Sequence, residues 1–222
     1  MLILGVDTSG KNGSIALVDF AEGSSRTLEI VPLEGGTFSA QLIPQISGML
    51  DRHNLSKRDV GGFAAVAGPG SFTGLRVGLA AIKGLAEVLQ KPIAALSLLE
   101  AIGRISALTG EITAMVDAGR SQIYAADFSI AKSRIVAGKE ALINYADIAR
   151  LEHDQEIVTP DEKIVEAAHG HGLRAQQVPY PGADFIAKLG FEKIGSGPVV
   201  STFDLDANYI RRSDAEIKKG IV

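Results

Sequence analysis

Residues 68–89 read Gly-Pro-Gly-Ser-Phe-Thr-Gly-Leu-Arg-Val-Gly-Leu-Ala-Ala-Ile-Lys-Gly-Leu-Ala-Glu-Val-Leu. This stretch follows the apolar run 63–67 and predicts the end of a buried strand, a glycine-rich turn and a helix, because glycine and proline stop regular structure. The charged residues of the helix, Arg76, Lys83 and Glu87, are spaced by seven and four and share one stripe. Most of the helix surface is therefore apolar, and such a helix must be covered on more than one side.

Two interpretations of this apolar helix stay open. Its own domain buries it, or it offers a surface to a helix of a partner protein, since its small residues let another backbone come close. Ser71 or Thr73 is expected to cap its first turn. A preceding helix, with apolar residues at helical spacing over 38–50, would join the partner surface; Pro44 is expected to kink this helix or to mark its first turns. The predicted partner contacts are Phe38, Leu42, Ile46, Leu75, Gly78, Leu79 and Ile82.

The composition predicts a folded globular chain. It has 222 residues, of which 46% are hydrophobic and 22% charged. The formal net charge is −4 and there is no long basic run, which argues against general nucleic-acid binding through a phosphate-neutralising surface. One basic cluster lies near the C-terminus and is interpreted as a solvated tail or as a helper in holding RNA. This basic tail contains Arg211, Arg212, Lys218 and Lys219.

The sequence also limits the cellular setting. There are no cysteines, which excludes disulfides, thiolate metal ligands and a cysteine nucleophile. No stretch is long and apolar enough to span a bilayer, and Met1 leads directly into a strand pattern, unlike a signal peptide. We therefore expect a soluble cytoplasmic protein with no membrane attachment.

The two halves of the chain begin alike. Residues 2–7 and 112–117 are apolar strands that end in Val-Asp, and each continues through small polar residues into an alternating strand. The order of elements in the first half, β-β-β-α-β-α-β-α, predicts hairpin strands followed by crossover units. We therefore predict an α/β chain of two tandem subdomains, 1–110 and 111–222, each with a mixed sheet that opens with an antiparallel hairpin and is flanked by helices.

Two such halves resemble the actin-like ATPase superfamily, which implies actin-like (ribonuclease H-like) subdomains whose hairpin tips hold the phosphates of a nucleotide from two sides. Backbone N–H groups and hydroxyls at a tight turn bind phosphate oxygens, and a strand-end carboxylate holds a metal-bound water or acts as a base. Alternatively, both strand-end aspartates only cap a turn. The candidate phosphate contacts, functional or vestigial, are Asp7, Thr8, Ser9 and Gly13 on one side and Asp117 and Gly119 on the other.

The glycine-rich motif is specific enough to indicate a family. Gly-Pro-Gly-Ser-Phe-Thr-Gly-Leu-Arg at 68–76, together with Asp-Thr-Ser at 7–9, resembles the bacterial TsaB (YeaZ) family. Val-Asp-Ala-Gly-Arg at 116–120 resembles the second hairpin of that family, and Tyr-Ile-Arg and Lys-Lys within 209–219 resemble its C-terminal signature. The residues of the motif loop are Gly68, Pro69, Gly70, Ser71, Phe72, Thr73, Gly74 and Arg76.

The resemblance implies a non-catalytic subunit that pairs with TsaD, a metal-dependent paralogue, in the N6-threonylcarbamoylation of adenosine 37 in tRNA. The ATPase TsaE would be the third member, the chain would form a homodimer without its partner, and contact with tRNA would be indirect. No cofactor is expected on this chain alone; ATP or ADP and Mg²⁺ are candidates at the level of the complex. The chain departs from many family members at Phe38, where they have histidine, and at Ala207, where they have proline.

The sequence predicts no catalytic residue and no metal site. A two-histidine metal site on a helix needs a spacing of four, and no pair among His53, His153, His169 and His171 has it. The glycines at 68–74 fit neither common phosphate-loop pattern. Ser71 lacks the sequence context of a catalytic triad.

Three other functions compete with the subunit hypothesis. A small-molecule kinase or ATPase of the same superfamily would use Asp7 and Asp117 with magnesium and ATP. A peptidase is a label that the wider family has attracted, although the missing histidine pair argues against it. A self-associating structural protein would use the apolar helices only to close a homodimer.

Overall fold

The chain divides into two units in the computed structural model. The first comprises Met1–Leu98 and Gly182–Asn208, and the second comprises Leu99–Pro181 and Tyr209–Val222. The basic tail (Arg211, Arg212, Lys218 and Lys219), Tyr209 and His153 lie outside the described residues. The structure describes residues 1–131, 134–152, 156–197, 205–208 and 210.

The first unit is built on one mixed sheet of five strands. Its strands are β1 (Leu2–Asp7), β2 (Gly13–Ala21), β3 (Ser24–Leu33), β4 (Val60–Gly68) and β5 (Ile93–Ser97). They lie in the order β3-β2-β1-β4-β5. The first three pair antiparallel, whereas β4 pairs parallel with β1 and β5 parallel with β4. The carboxyl ends of β1, β4 and β5 therefore meet at one edge of the sheet.

Two helices link these strands. Helix α1 (Phe38–Arg52) contains the predicted Pro44, and helix α2 (Phe72–Leu89) follows the glycine-rich turn. The Ser71 side chain accepts a hydrogen bond from the Gly74 N–H, so Ser71 rather than Thr73 is the N-cap. The helix ends at Leu89, and its C-cap residue Gln90 takes a left-handed conformation ahead of Lys91-Pro92.

The second unit contains a mixed sheet of six strands. Helix α3 (Leu98–Ile105) precedes them, a short 3₁₀-helix (Tyr145–Arg150) interrupts them, and α4 (Glu162–Gly170) lies between the last two. The strands are β6 (Gly110–Gly119), β7 (Gln122–Ala131), β8 (Arg134–Ala137), β9 (Ala141–Asn144), β10 (Glu156–Thr159) and β11 (Arg174–Gln177).

The two sheets have the same topology, which supports an internal duplication. The second sheet runs β11-β10-β6-β7-β8, with β9 paired to β7 off this path. If the strands of each unit are numbered from 1 in chain order and β9 is left out, the spatial order of the strands is 3-2-1-4-5 in both sheets. In both, the first three strands pair antiparallel and the later two are parallel to the first. The predicted α/β architecture of two hairpin-led mixed sheets flanked by helices is confirmed.

The units differ from the predicted halves 1–110 and 111–222 because the last helix of each repeat belongs to the other unit. Nearly all of α3 is part of the second unit, and α5 (Ala183–Ser196) is part of the first. Helix α5 packs on β1, β2, β4 and β5. Gly5 in β1 and Gly190 in α5 allow this approach, since a Cβ on Gly190 would lie within 3.0 Å of the Ala64 side chain.

Each unit has its own apolar core. In the first, side chains of the sheet such as Leu4 and Phe63 pack against those of α1 and α2. In the second, Met115, Ile123 and Ile164 are among the buried members of a separate cluster. Among the residues that the structure describes, no helix combines the length and apolarity needed to cross a bilayer.

Candidate functional site

The first hairpin tip, at the carboxyl end of β1, is buried, and its side chains form hydrogen bonds with other groups of the chain. Asp7, Thr8 and Ser9 are each 2% exposed. The Ser9 backbone N–H and hydroxyl donate to Asp7 Oδ1 at 2.8 and 2.6 Å. The Thr8 hydroxyl donates to the Gly74 carbonyl oxygen at 2.8 Å. These hydrogen bonds join the tip internally and tie it to the start of α2.

The buried position of this tip shifts the pKa of its carboxyl group. It raises the pKa of the Asp7 carboxyl, and the two hydrogen bonds from Ser9 offset only part of that increase. A strand-end carboxylate was predicted to hold a metal-bound water or act as a base. In the structure it serves as the acceptor for Ser9, as in the alternative in which the aspartate caps its own turn.

The motif loop and helix α2 pack on this tip through glycines spaced by four. A Cβ on Gly70, Gly74 or Gly78 would lie within 3.0 Å of Ser9 O, Thr8 O or Thr8 Oγ1, respectively. Ser71 N–H also donates to Ser9 O at 2.6 Å. The motif therefore needs glycine for close backbone packing, not for a phosphate loop.

The remaining motif residues take different positions. Pro69 is buried, Thr73 is exposed, and Gly68 has a φ of +138°. The guanidinium carbon of Arg76 lies 3.7 Å from the centroid of the half-buried Phe72 ring, which is a cation–π contact. Phe72, Thr73 and Arg76 thus lie on the solvent side of the loop, whereas Gly70 and Gly74 face the hairpin tip.

Phe38 fills the space between the hairpin tip and α2. A Cβ on Gly13 would lie 3.0 Å from its Cε1, and a Cβ on Gly74 would lie 3.3 Å from its Cε2. A Cβ on Gly13 would also lie 2.5 Å from the Asp7 carbonyl oxygen, so close backbone packing requires glycine here and the Phe38 ring adds to the crowding. The predicted phosphate contacts of the first half are brought together, and Phe38 occupies the space beside them.

The second hairpin tip, at the carboxyl end of β6, is more open. Asp117 is exposed, and its Oδ1 accepts from the Gly119 N–H at 3.1 Å and from the Tyr145 hydroxyl at 3.4 Å. Its backbone N–H donates to Asp161 Oδ2 at 2.7 Å. Gly119 has a φ of +70°, a conformation that favours glycine.

Two residues of this second tip were missed by the sequence prediction. Tyr145 begins the 3₁₀-helix, and Asp161 precedes α4 at the end of β10, the parallel neighbour of β6. Burial, with Asp117 and Asp161 nearby, raises the pKa of Tyr145 to about 12. Burial and the Asp117 charge raise the pKa of Asp161. Within the described ranges, no group of three or more histidine and acidic residues could hold a metal ion.

The predicted partner contacts are all buried in the first unit, which corrects the choice of residues for an exposed surface. Leu79 is 6% exposed, and a Cβ on Gly78 would collide with the Thr8 hydroxyl. Helices α1 and α2 each have a buried face and an exposed face, and the predicted residues lie on the buried face, which covers the sheet. The seven buried residues are Phe38, Leu42, Ile46, Leu75, Gly78, Leu79 and Ile82.

The opposite faces of α1 and α2 expose apolar side chains. Ile43 is 48% exposed and Val88 is 76% exposed. The two helices pack against each other, so these exposed side chains stand on neighbouring elements. We call the exposed apolar residues of both helices the outward face. Its residues are Ala40, Ile43, Pro44, Ala80, Gly84 and Val88.

Comparison with known proteins extends over most of the chain. A family model described as TsaD, tRNA N6-adenosine threonylcarbamoyltransferase, matches residues 30–206. The tRNA threonylcarbamoyladenosine biosynthesis protein TsaB of Bacillus subtilis is 26% identical over 98% of this chain and 97% of its own length. The protein of the same name from Escherichia coli is 28% identical over 63% of this chain and 60% of its own length.

A solved structure has a similar fold. The solved structure of YeaZ from Pseudomonas aeruginosa matches with a TM-score of 0.74 and 22% identity, and the match covers 94% of this chain and 99% of that one. At this identity the match shows the fold alone, and the roles of individual residues rest on the geometry described above.

Proposed function

The chain belongs to the TsaD family, whose model is described as tRNA N6-adenosine threonylcarbamoyltransferase, and we propose that it is a non-catalytic TsaB-type subunit that binds and activates a TsaD-type enzyme. The reaction served would be the N6-threonylcarbamoylation of adenosine 37 in tRNA. The predicted resemblance to TsaB (YeaZ) and the actin-like fold class are confirmed by relatives and a solved structure that span nearly the whole chain. A role in tRNA threonylcarbamoyladenosine biosynthesis is therefore supported.

The outward face is the observation that carries the proposal. Exposed apolar side chains as large as Ile43 and Val88 favour burial against a partner, because apolar area removed from water contributes about 25 cal/mol per Å². Ala80 and Gly84 are small and exposed on α2, so another helix can approach its backbone closely. The partner we infer is a TsaD-type paralogue that presents equivalent helices.

The geometry of the first hairpin tip supports a non-catalytic role. The Asp7 carboxylate is buried under the motif loop and accepts two hydrogen bonds from Ser9. Phe38 packs between Gly13 and Gly74, beside the position where phosphates were expected. We infer that this tip maintains the shape of α1 and α2, the two helices that carry the outward face.

Activation by such a subunit requires a partner with two conformations. Binding shifts the partner only if the outward face has different affinity for the two states. We propose that docking of α1 and α2 stabilises the competent conformation of the TsaD-type enzyme in the cytoplasm. A TsaE-type ATPase as third member, ATP or ADP with Mg²⁺ in the complex, indirect contact with tRNA and a homodimer without the partner complete the proposal.

Co-purification with a tagged TsaD-type protein tests the partner surface. Ile43→Glu and Val88→Glu place a carboxylate in the docked interface, where an unpaired charge is costly. Each should weaken the complex at least about tenfold, which corresponds to ~1.4 kcal/mol. Both residues are exposed in the free chain, so its circular dichroism spectrum and unfolding midpoint should be unchanged.

Val136→Glu is the matched control, because Val136 is 53% exposed but lies in the second unit. It should bind the partner like the unchanged chain. Wild-type affinity of both Ile43→Glu and Val88→Glu would rule out the outward face as the docking surface. ATP hydrolysis by the isolated chain that Asp7→Asn abolishes would instead support the kinase or ATPase alternative.

A further inference from the structure

A short segment close to the C-terminus lies against the first unit. Leu205 is 5% exposed and belongs to the apolar core of that unit, and Ala207 packs against the same core. The Asn208 backbone N–H donates to the Ala67 carbonyl oxygen at 2.7 Å. We call Leu205–Asn208 the strap. It is attached by an apolar side chain at its first residue and a backbone hydrogen bond at its last.

The strap touches the motif loop at its first glycine. A Cβ on Gly68 would lie 2.6 Å from the Asn208 carbonyl oxygen and 3.3 Å from its Cβ, and Gly68 has a φ of +138°. Both the close approach and the conformation require glycine at this position. The later motif glycines contact the hairpin tip instead, so the loop is packed from two sides: by the end of β1 and by the strap.

The position of the strap in the sheet is informative. Ala67 and Gly68 form the carboxyl end of β4, which lies beside β1 in parallel. In open α/β sheets, ligands bind outside the carboxyl ends of the strands. Here the chain's own backbone takes the hydrogen-bond acceptor that β4 presents at this end.

We propose that the strap is a detachable clasp that holds the motif loop, and with it the first turn of α2, in the observed arrangement. The strap belongs to no helix or strand and lies close to the C-terminus, so it can open at a lower free energy than the unit as a whole. Opening frees the Ala67 carbonyl and removes the backbone that packs against Gly68. The coupling between the strap and the motif loop is reciprocal. A closed strap stabilises the observed loop conformation, and a contact that stabilises that loop conformation favours the closed strap. This coupling is a property of the isolated chain and does not depend on the proposed partner.

Hydrogen–deuterium exchange of the isolated full-length chain tests the clasp. Leu205→Ala removes the apolar anchor, and Asn208→Pro removes the N–H donor at an exposed position. Each variant should accelerate exchange in peptides covering residues 66–75 at least about tenfold, as expected for local opening. Asp206→Asn is the matched control, since Asp206 is exposed and bonds only locally to Ala207 among the bonds described; its exchange should equal that of the unchanged chain.

Two reference regions separate local opening from unfolding. Peptides covering β1 report on the sheet of the first unit, and peptides covering β6 and β7 report on the second. Faster exchange limited to 66–75 supports the clasp. Unchanged exchange at 66–75 in both variants would overturn it, and so would equal acceleration of 66–75 and β1 in Asn208→Pro. If Leu205→Ala unfolds the first unit, Asn208→Pro alone decides the result.

Discussion

Replacing Gly74 by alanine tests whether the motif glycines act through packing. A Cβ there would lie within 3.0 Å of the Thr8 carbonyl oxygen and 3.3 Å from the Phe38 ring. The closer neighbour is backbone, so relief requires α2 to move away from the end of β1. That movement also disturbs the hydrogen bond from the Thr8 hydroxyl to Gly74 O.

The expected change in the free energy of unfolding of Gly74→Ala is the sum of opposing contributions. Alanine in place of glycine in a helix favours folding by about 0.5–1 kcal/mol. Overpacking costs about 1–3 kcal/mol, and a weakened hydrogen bond adds about 0.5–1.5 kcal/mol. We therefore expect Gly74→Ala to lower the free energy of unfolding by about 1–3 kcal/mol. Gly84→Ala in the same helix is the matched control: a Cβ on Gly84 meets nothing within 4 Å, so this variant should gain about 0.5–1 kcal/mol.

Urea unfolding of both variants, followed by far-ultraviolet circular dichroism, measures the difference. The two variants should differ by about 2–4 kcal/mol, with Gly74→Ala the less stable. If Gly74→Ala proved as stable as Gly84→Ala, the close-packing explanation of the motif would be refuted.

Three further measurements test the site and the core. The pKa of Asp7 is raised in the folded state. Its contribution to the free energy of unfolding is therefore most favourable below pH 3.8 and is lost as pH rises through the folded pKa. Asp7→Asn keeps an oxygen for Ser9 and should exceed wild-type stability at pH 7, with the difference vanishing below pH 3.8 in urea unfolding series. Leu79→Glu should lose about 3 kcal/mol or more because it buries a charge, whereas Ile43→Glu should not change the thermal midpoint. In a spectrophotometric titration, one tyrosine should ionise near pH 12, and Tyr145→Phe should remove that component.

The fold could be predicted largely because its signals are local. The apolar strand β1, the helix spacing of α1 and the glycine-rich turn before α2 each depend on neighbouring residues. The repeated Val-Asp strand ends correctly indicated two sheets with the same beginning. The assignment of α3 and α5 to the opposite units could not be predicted, because an apolar helix pattern does not specify which sheet it covers.

The candidate site was predictable only in part, for the same reason. Asp7, Thr8 and Ser9 were located correctly at a strand end, but their burial depends on glycines of α2 that are more than 60 residues away. Leu79 and Val88 are both apolar residues of one helix, and only the position of the sheet decides which is buried. Asp161 meets Asp117 because β10 and β6 are parallel neighbours, which is a property of topology.

The placement of α5 limits how this chain can be divided. A fragment that ends at residue 110 would contain every strand of the first sheet, yet the helix that covers Gly5 and Ala64 would be missing. Its exposed small-residue face would make the fragment prone to aggregation. A second fragment that carries α5 would supply the missing cover, so the halves should fold by complementation when they are expressed together. Cooperative folding therefore requires the late part of the chain even for the earliest strand.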